Sequence, residues 1–203
     1  MTAWTLGLTA SALGALSFFE PCTIATHTLF SVRAHARPCP GCCRELLTLW
    51  LTRSVLAVGL LLLALAITAP PVWVAYVPSV ILTIMATVYI VSRFRYIPVP
   101  HLAFHKLIPG STRLPHAMQL GLTLPACTLP LFIIVLGITI TLDSYALAIM
   151  GGLLFAGLFT LPTAVTSVTG LSVAGQRFLK VSALATPYIT AALMYGAAIY
   201  LLF

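Results

Sequence analysis

Glu20-Pro21-Cys22-Thr23 lies within one long apolar stretch of this chain, and Pro125-Ala126-Cys127-Thr128-Leu129-Pro130 lies within another. Proline lacks the N–H that a continuous helix needs, and its ring clashes with the carbonyl one turn back. A bilayer tolerates the resulting gap in the backbone ladder only where protein or a water-filled cavity satisfies the freed groups. How these two stretches are read decides the architecture, because each places a thiol beside proline inside a membrane-length segment. A thiol at such a position is a candidate for chemistry within the bilayer.

Working outward, the 203-residue chain is 61% hydrophobic and 6% charged, whereas an ordinary soluble domain carries roughly 25% charged residues. Its apolar runs reach the ~20 residues that a spanning helix needs. They are too long and too uniformly apolar for barrel strands, which alternate. The pattern predicts an all-α polytopic membrane protein, a single membrane domain over 1–203 with six transmembrane helices. These fall at about 4–32, 45–68, 72–92, 115–136, 145–171 and 181–203. Ala69-Pro70-Pro71 reads as the turn between the second and third spans, and 136–144, carrying Asp143, as the turn between the fourth and fifth. Met1-Thr2-Ala3-Trp4 lacks the basic region of a removable signal peptide. Neither HExxH nor GxSxG occurs, so the common hydrolase motifs are missing.

The ten basic residues set the orientation. Arg33, Arg37, Arg44 and Arg53 lie between or near the ends of spans one and two. Arg93, Arg95, Lys106 and Arg113 lie between three and four, and Arg177 and Lys180 between five and six. By the positive-inside rule the cytoplasmic loops are about 33–44, 93–114 and 172–180, and both termini are extracytoplasmic. The net charge of +7 is therefore a topology signal. The lipid bilayer is the expected surface partner, and no nucleic acid is expected. Three spans per half make the second half enter the membrane in the opposite sense. The chain then reads as two inverted three-helix repeats, about 1–98 and about 112–203, with sites formed near the midplane from broken helices. A glycine precedes the cysteine in the first helix of each half, Gly14 and Gly121.

At ~1.5 Å of rise per helical residue, Cys22 lies about 27 Å from Trp4 and Cys127 about 18 Å in from Pro115. If the two helices pack side by side the thiols can meet; a bridge needs Cα atoms within roughly 7 Å. The chemistry such thiols support is thiol–disulfide exchange, which requires a thiolate and hence local positive potential. The half-helix that starts after a break supplies this from its free N–H groups and dipole. The bland alternative is that both cysteines are small core hydrophobes.

The proline-flanked cysteines in the first and fourth spans resemble the CcdA family and the transmembrane domain of DsbD, thiol-reductant transporters of six helices in two inverted repeats. The resemblance implies that Cys22 and Cys127 form one redox pair. It implies electron transfer from cytoplasmic thioredoxin to extracytoplasmic thioredoxin-like or cytochrome c maturation proteins. It also implies a bacterial inner-membrane location and no cofactor. Glu20, Pro21, Pro125 and Pro130 are the supporting residues. The family pattern is Pro-Cys with a second proline three residues on. Here the first half has Ala25 at that second position, and in the second half Ala126 separates Pro125 from Cys127. The chain reads as a divergent member.

Outside the pair, Cys39-Pro40-Gly41-Cys42-Cys43 lies in the first basic loop between Arg37 and Arg44. Flanking cations lower thiol pKa, which suits a cytoplasmic redox relay. Three cysteines also suit a soft metal, with His35 as a further ligand. The functional alternative is accordingly a soft-metal (Cu or Hg) membrane transporter using the midplane and loop cysteines. An incidental juxtamembrane cluster is the plain reading. A quinone-linked disulfide oxidase ranks lower, since no cysteine falls in an extracytoplasmic loop. Glu20, ionisable at depth, is a functional candidate by default and a carrier for the thiol proton. His27 reads as a polar helix-end residue, and Arg53 as snorkelling to the cytoplasmic interface. His101, His105 and His116 read as solvated loop residues. Gly151, Gly152 and Gly157, with Pro162, read as close helix packing, or functionally as a hinge. The hydroxyls of 160–170 are expected to satisfy groups freed at Pro162.

Overall fold

The computed structural model describes residues 3–67, 76–94, 102–107, 114–125 and 127–200. Along the chain these form α1 (Ala3–Phe18), α2 (Pro21–His35), α3 (Cys39–Ile67), α4 (Tyr76–Phe94), β1 (Leu102–Ala103), a 3-10 turn (Phe104–Leu107), α5 (His116–Gly121), β2 (Thr123–Leu124), α6 (Leu129–Leu142), α7 (Tyr145–Thr169) and α8 (Val173–Tyr200). Among the described residues, three helices are long and apolar enough to cross a membrane: Pro40–Ile67 within α3, α7, and Val173–Ile199 within α8. Helices α1 and α2 make a fourth candidate as a pair bent by 74°. Shorter apolar helices cover Ser79–Val88 and Leu129–Leu142. Large side chains such as Leu29, Val55, Leu63, Ile84, Val165 and Ile199 point outward. That surface suits acyl chains and would be a liability in water. The protein is thus a mostly helical membrane protein.

The element boundaries depart from the sequence reading where polar residues turn out to be helical. Helix α3 starts at Cys39, so the first loop shrinks from 33–44 to the short link after His35, and Cys39–Cys43 forms the first turn of a helix. The third loop, expected at 172–180, is reduced to Gly170, Leu171 and Ser172 before α8. Gly170 ends α7 at φ 76°, a left-handed value that glycine accepts without penalty. The turn expected at 136–144 is helical as far as Leu142. Asp143 alone turns the chain, at φ 44°; Asp is among the few residues with a side chain that tolerates this region. The Ala69-Pro70-Pro71 turn and Arg95, His101 and Arg113 of the second basic loop lie outside the described residues.

Helix α7 is the central pillar, packing against α1, α2, α3 and α6. Glycines bring the backbones together. A Cβ on Gly14 of α1 would sit 2.5 Å from the Phe155 carbonyl oxygen of α7. A Cβ on Gly152 would sit 3.0 Å from the Val58 backbone of α3. Gly151 lies against Leu6, and Gly157 faces Trp50. The close-packing reading of these glycines is therefore the one the geometry bears out. Helix α5 packs on α3, where Gly121 meets Thr52 and the Leu49 carbonyl. Helix α4 packs on α8, tied by Ser79 Oγ donating to the Ala198 carbonyl at 2.7 Å and by Thr87–Tyr195 at 2.9 Å. The core joins Leu6, Leu13 and Phe18 of α1 to Leu131, Phe132 and Val135 of α6 and to Phe155 and Phe159 of α7.

Candidate functional site

Both proline-flanked stretches lie at breaks between helices, α1–α2 and α5–α6, and in both a proline falls in the first turn of the helix that follows. In the first half the gap is Phe19 and Glu20 alone. Glu20 is extended (φ −65°, ψ 137°), and Pro21 opens α2. A missing N–H costs nothing at a helix start, since the first-turn donors have no intrahelical acceptor. The Glu20 carbonyl accepts the first bond of the new helix, from Ile24 N–H at 2.9 Å. Cys22 is therefore a first-turn residue of α2.

The second break is longer, and it replaces the middle of the span expected at 115–136 with extended chain. Helix α5 ends at Gly121, and Thr123–Leu124 is extended and pairs antiparallel with Leu102–Ala103. Phe104 N–H donates to the Leu122 carbonyl at 3.1 Å. The segment expected only as part of a cytoplasmic loop thus folds back onto the break and satisfies its backbone groups, as a water-poor surrounding requires. The Pro125 carbonyl then accepts from Thr128 N–H at 3.0 Å and from Thr128 Oγ1 at 2.9 Å. Pro130 occupies the first turn of α6. Cys127 precedes that helix rather than belonging to it.

Across these two breaks Cys22 and Cys127, 105 residues apart, are joined as a disulfide with Cα atoms 6.9 Å apart. Each residue is half-buried. Glu20, beside the pair, is fully buried, and Thr190 Oγ1 of α8 donates to its Oε1 at 2.5 Å.

One turn further along α2 lies a polar cluster that the sequence reading missed. Arg53 is only 2% exposed, so it does not snorkel. Nη1 donates to Thr160 Oγ1 at 3.1 Å and Nη2 donates to His27 Nε2 at 3.0 Å. Because Arg can only donate, Nε2 is the acceptor, and His27 Nδ1–H donates to Thr163 Oγ1 at 2.6 Å. The guanidinium stacks on Phe159, 3.9 Å from the ring centroid, a favourable cation–π placement. His27 is fully buried, tilted against Phe159 and edge-on to Phe18, so it is an interior residue and not a helix-end one. Below it, Ser31 and Thr166 share a hydrogen bond of 2.8 Å, and His35 Nδ1–H donates to the Ser167 carbonyl at 2.9 Å. The hydroxyls of α7 thus serve α2 and Arg53 as well as their own helix. The signal that could have found this cluster is spacing. Thr23, His27, Ser31 and His35 recur every fourth residue on one face of an apolar helix, opposite Thr160, Thr163 and Ser167 at similar spacing on α7.

The cysteines of the former loop do not converge. Cys42 is buried against Phe30, Ala34, Leu49 and Ala117, whereas Cys43 is exposed. The Cys39 side chain lies outside the described part. Among the described residues there is no group of three or more His, Cys, Asp or Glu that could hold a metal ion. Arg37 and Glu45 close the α2–α3 corner with an ion pair of 2.6 Å. His116 opens α5 near Phe30, the His105 side chain lies outside the described part, and Lys106 is exposed. No family model, curated protein or solved structure matches this chain.

Proposed function

We propose that this protein carries reducing equivalents across a membrane by thiol–disulfide exchange at the Cys22–Cys127 pair. Cytoplasmic thioredoxin is the donor, and extracytoplasmic thioredoxin-like or cytochrome c maturation proteins are the acceptors. The observation that carries this reading is the pairing itself. Two cysteines from opposite halves of the chain meet, each at the head of a half-helix that a proline starts. A sulfur pair held between helix ends within the apolar part of the bundle can be opened by an incoming thiolate, and helix N-termini favour the anionic sulfur that leaves. Glu20, two residues before Cys22 and fully buried, is the group this reading assigns to exchange the thiol proton.

The six-span, two-repeat architecture belongs to the same proposal. The broken pairs α1–α2 and α5–α6, with α3, α4, α7 and α8, supply six segments. Part of their packing pattern survives exchange of the halves. Contacts of α1 and α2 with α7 correspond to those of α5 and α6 with α3, α4 on α6 corresponds to α8 on α2, and α3 on α7 and α4 on α8 map onto themselves, whereas the packing of α1 on α6 has no comparable counterpart between α5 and α2 among the described residues. The positive-inside rule supports extracytoplasmic termini and a cytoplasmic Arg33–Arg37–Arg44 end, and the family resemblance implies a bacterial inner membrane.

Thiol trapping of the purified protein, with and without reduced thioredoxin, tests the function. The expected result is a Cys22–Cys127 bridge that thioredoxin opens, and loss of transfer to extracytoplasmic thiol proteins in Cys22→Ser and in Cys127→Ser. Transfer that survives either substitution would sink the reading.

A further inference from the structure

The His27–Arg53 cluster has no part in the exchange as proposed so far, yet it lies within the same bundle as the pair. Moving along α2 from Cys22, every turn on one face carries a polar side chain: Thr23, His27, Ser31 and His35. The first three are buried and the last is exposed. Each buried member beyond Thr23 is hydrogen-bonded to α7, and Arg53 enters from α3. Among the described residues, Thr23 Oγ1, Arg53 Nε and Ser54 Oγ are buried without a hydrogen-bond partner. Buried polar atoms of this kind are where proteins hold ordered water. Steps of four residues are ~6 Å of helical rise, a gap that one bridging water closes. In α6 the buried side chains are apolar except for Thr139, which bonds within its own helix. A helix start beside a cysteine does not by itself require such a polar file.

We propose that the Thr23–His27–Ser31–His35 face of α2, with Arg53, Thr163 and Thr166 against it, is a hydrated proton path between the Cys22–Cys127 pair and the His35 end of the bundle. The inference rests on the thiol–disulfide reading. In that exchange a donor thiolate attacks one sulfur of the pair, forms a mixed disulfide and expels the other cysteine as a thiolate. The donor's second thiolate then attacks the mixed disulfide and expels the remaining cysteine. The donor dithiol is oxidised by two electrons and loses two protons, and the membrane pair is reduced by two electrons and takes up two protons. A pair enclosed by apolar helices needs a route for those protons. His27, neutral with Nδ1–H directed at Thr163 and Nε2 facing Arg53, can accept on one nitrogen and release from the other. It is a positioning residue for proton movement and does not touch sulfur.

The test uses the full chain in lipid nanodiscs, oxidised with diamide and then reduced with dithiothreitol, with pair opening read by thiol alkylation. His27→Ala is expected to re-form the bridge but to open roughly a hundredfold more slowly, and millimolar imidazole is expected to restore the rate. Ser31→Ala, a mild change, is expected to slow opening by a smaller factor. Opening of His27→Ala at the wild-type rate overturns the path while leaving the redox pair intact. So does slow opening that imidazole leaves unchanged, or an unaffected Ser31→Ala. A wild-type bridge that dithiothreitol does not open overturns the exchange reading and the path together.

Discussion

The two helix breaks, α1–α2 and α5–α6, present their cysteines by different local chemistry. The first break is short: two residues separate α1 from α2, Pro21 is the first helical residue, and Thr190 of α8 donates to Glu20. The second break is assembled from outside. Its extended residues are paired by Leu102–Ala103 and Phe104, and Cys127 precedes the helix that Pro130 helps to start. The comparison explains the unequal proline spacing in the two stretches. Where the helix starts before the cysteine, the proline is adjacent to it. Where the helix starts after the cysteine, a proline follows three residues later. In each half the proline marks a helix start, and the thiol sits within a few residues of that start on whichever side the backbone allows.

The sharpest way to break this comparison is to remove the outside support. Replacing 102–107 with a flexible Gly-Ser linker takes away the partners of Leu122, Thr123 and Leu124. An unsatisfied buried backbone group costs about 1–3 kcal/mol, and about 1.4 kcal/mol is a tenfold change in an opening equilibrium. In the reduced protein, Cys127 should then react with a water-soluble maleimide about ten times faster or more, while the Cys22 rate stays within about a factor of two. Equal acceleration at both cysteines would mean that the breaks share one support, and the contrast drawn above would be lost.

A second contrast lies one step upstream. The glycines before the two breaks make matching close approaches, Gly14 against the Phe155 backbone and Gly121 against Thr52 and Leu49. The obstacle at Gly14 is a carbonyl of a packed helix, which cannot step aside. At Gly121 the closest obstacle is the Thr52 hydroxyl, with Thr52 Cβ at 2.9 Å and the Leu49 carbonyl at 3.1 Å behind it. Gly14→Ala is expected to destabilise the folded protein by about 2 kcal/mol or more, and Gly121→Ala by about 1 kcal/mol, within the range for overpacked interiors. Thermal unfolding in detergent measures both. Adding Thr52→Ala should recover part of the Gly121→Ala loss. If Gly14→Ala proves the milder of the two, the close approach of α1 to α7 does not hold the first break in place.

Much of this fold was legible because membrane helices advertise themselves by length and composition, and because prolines and thiols are rare enough within them to be noticed. The pairing of Cys22 with Cys127 was reachable only through a family resemblance, since separation along the chain carries no distance. The Arg53 environment was misread for a physical reason. A lone arginine near a span end snorkels by default, and only the partner helix, with Thr160 and Phe159, makes burial the better option. The helical start of α3 was missed because Pro-Gly within Cys39–Cys43 reads as a turn. In the structure Pro40 and Gly41 fall in the first helical turn, where proline's missing N–H is harmless. The return of 102–107 onto the fourth span had no local signature at all.

The smallest expected effects separate a proline that starts a helix from one that breaks it. If Pro21 and Pro130 were breakers, replacing either with alanine would let the flanking helices fuse and pull the cysteine away from its partner. As first-turn residues they sacrifice no hydrogen bond, and their contribution is to restrict the unfolded chain. Pro21→Ala and Pro130→Ala should each cost about 0.4–1 kcal/mol, and the Cys22–Cys127 bridge should still form on oxidation in both. Pro21 is the more exacting case. Only Phe19 and Glu20 separate α1 from α2, and the 74° bend is also held by the packing of α1 on α6 and α7, by that of α2 on α7 and α8, and by the Thr190–Glu20 contact. A Pro21→Ala protein that cannot form the bridge would assign the bend to proline itself, and a bridge that forms normally assigns it to the tertiary contacts around Glu20.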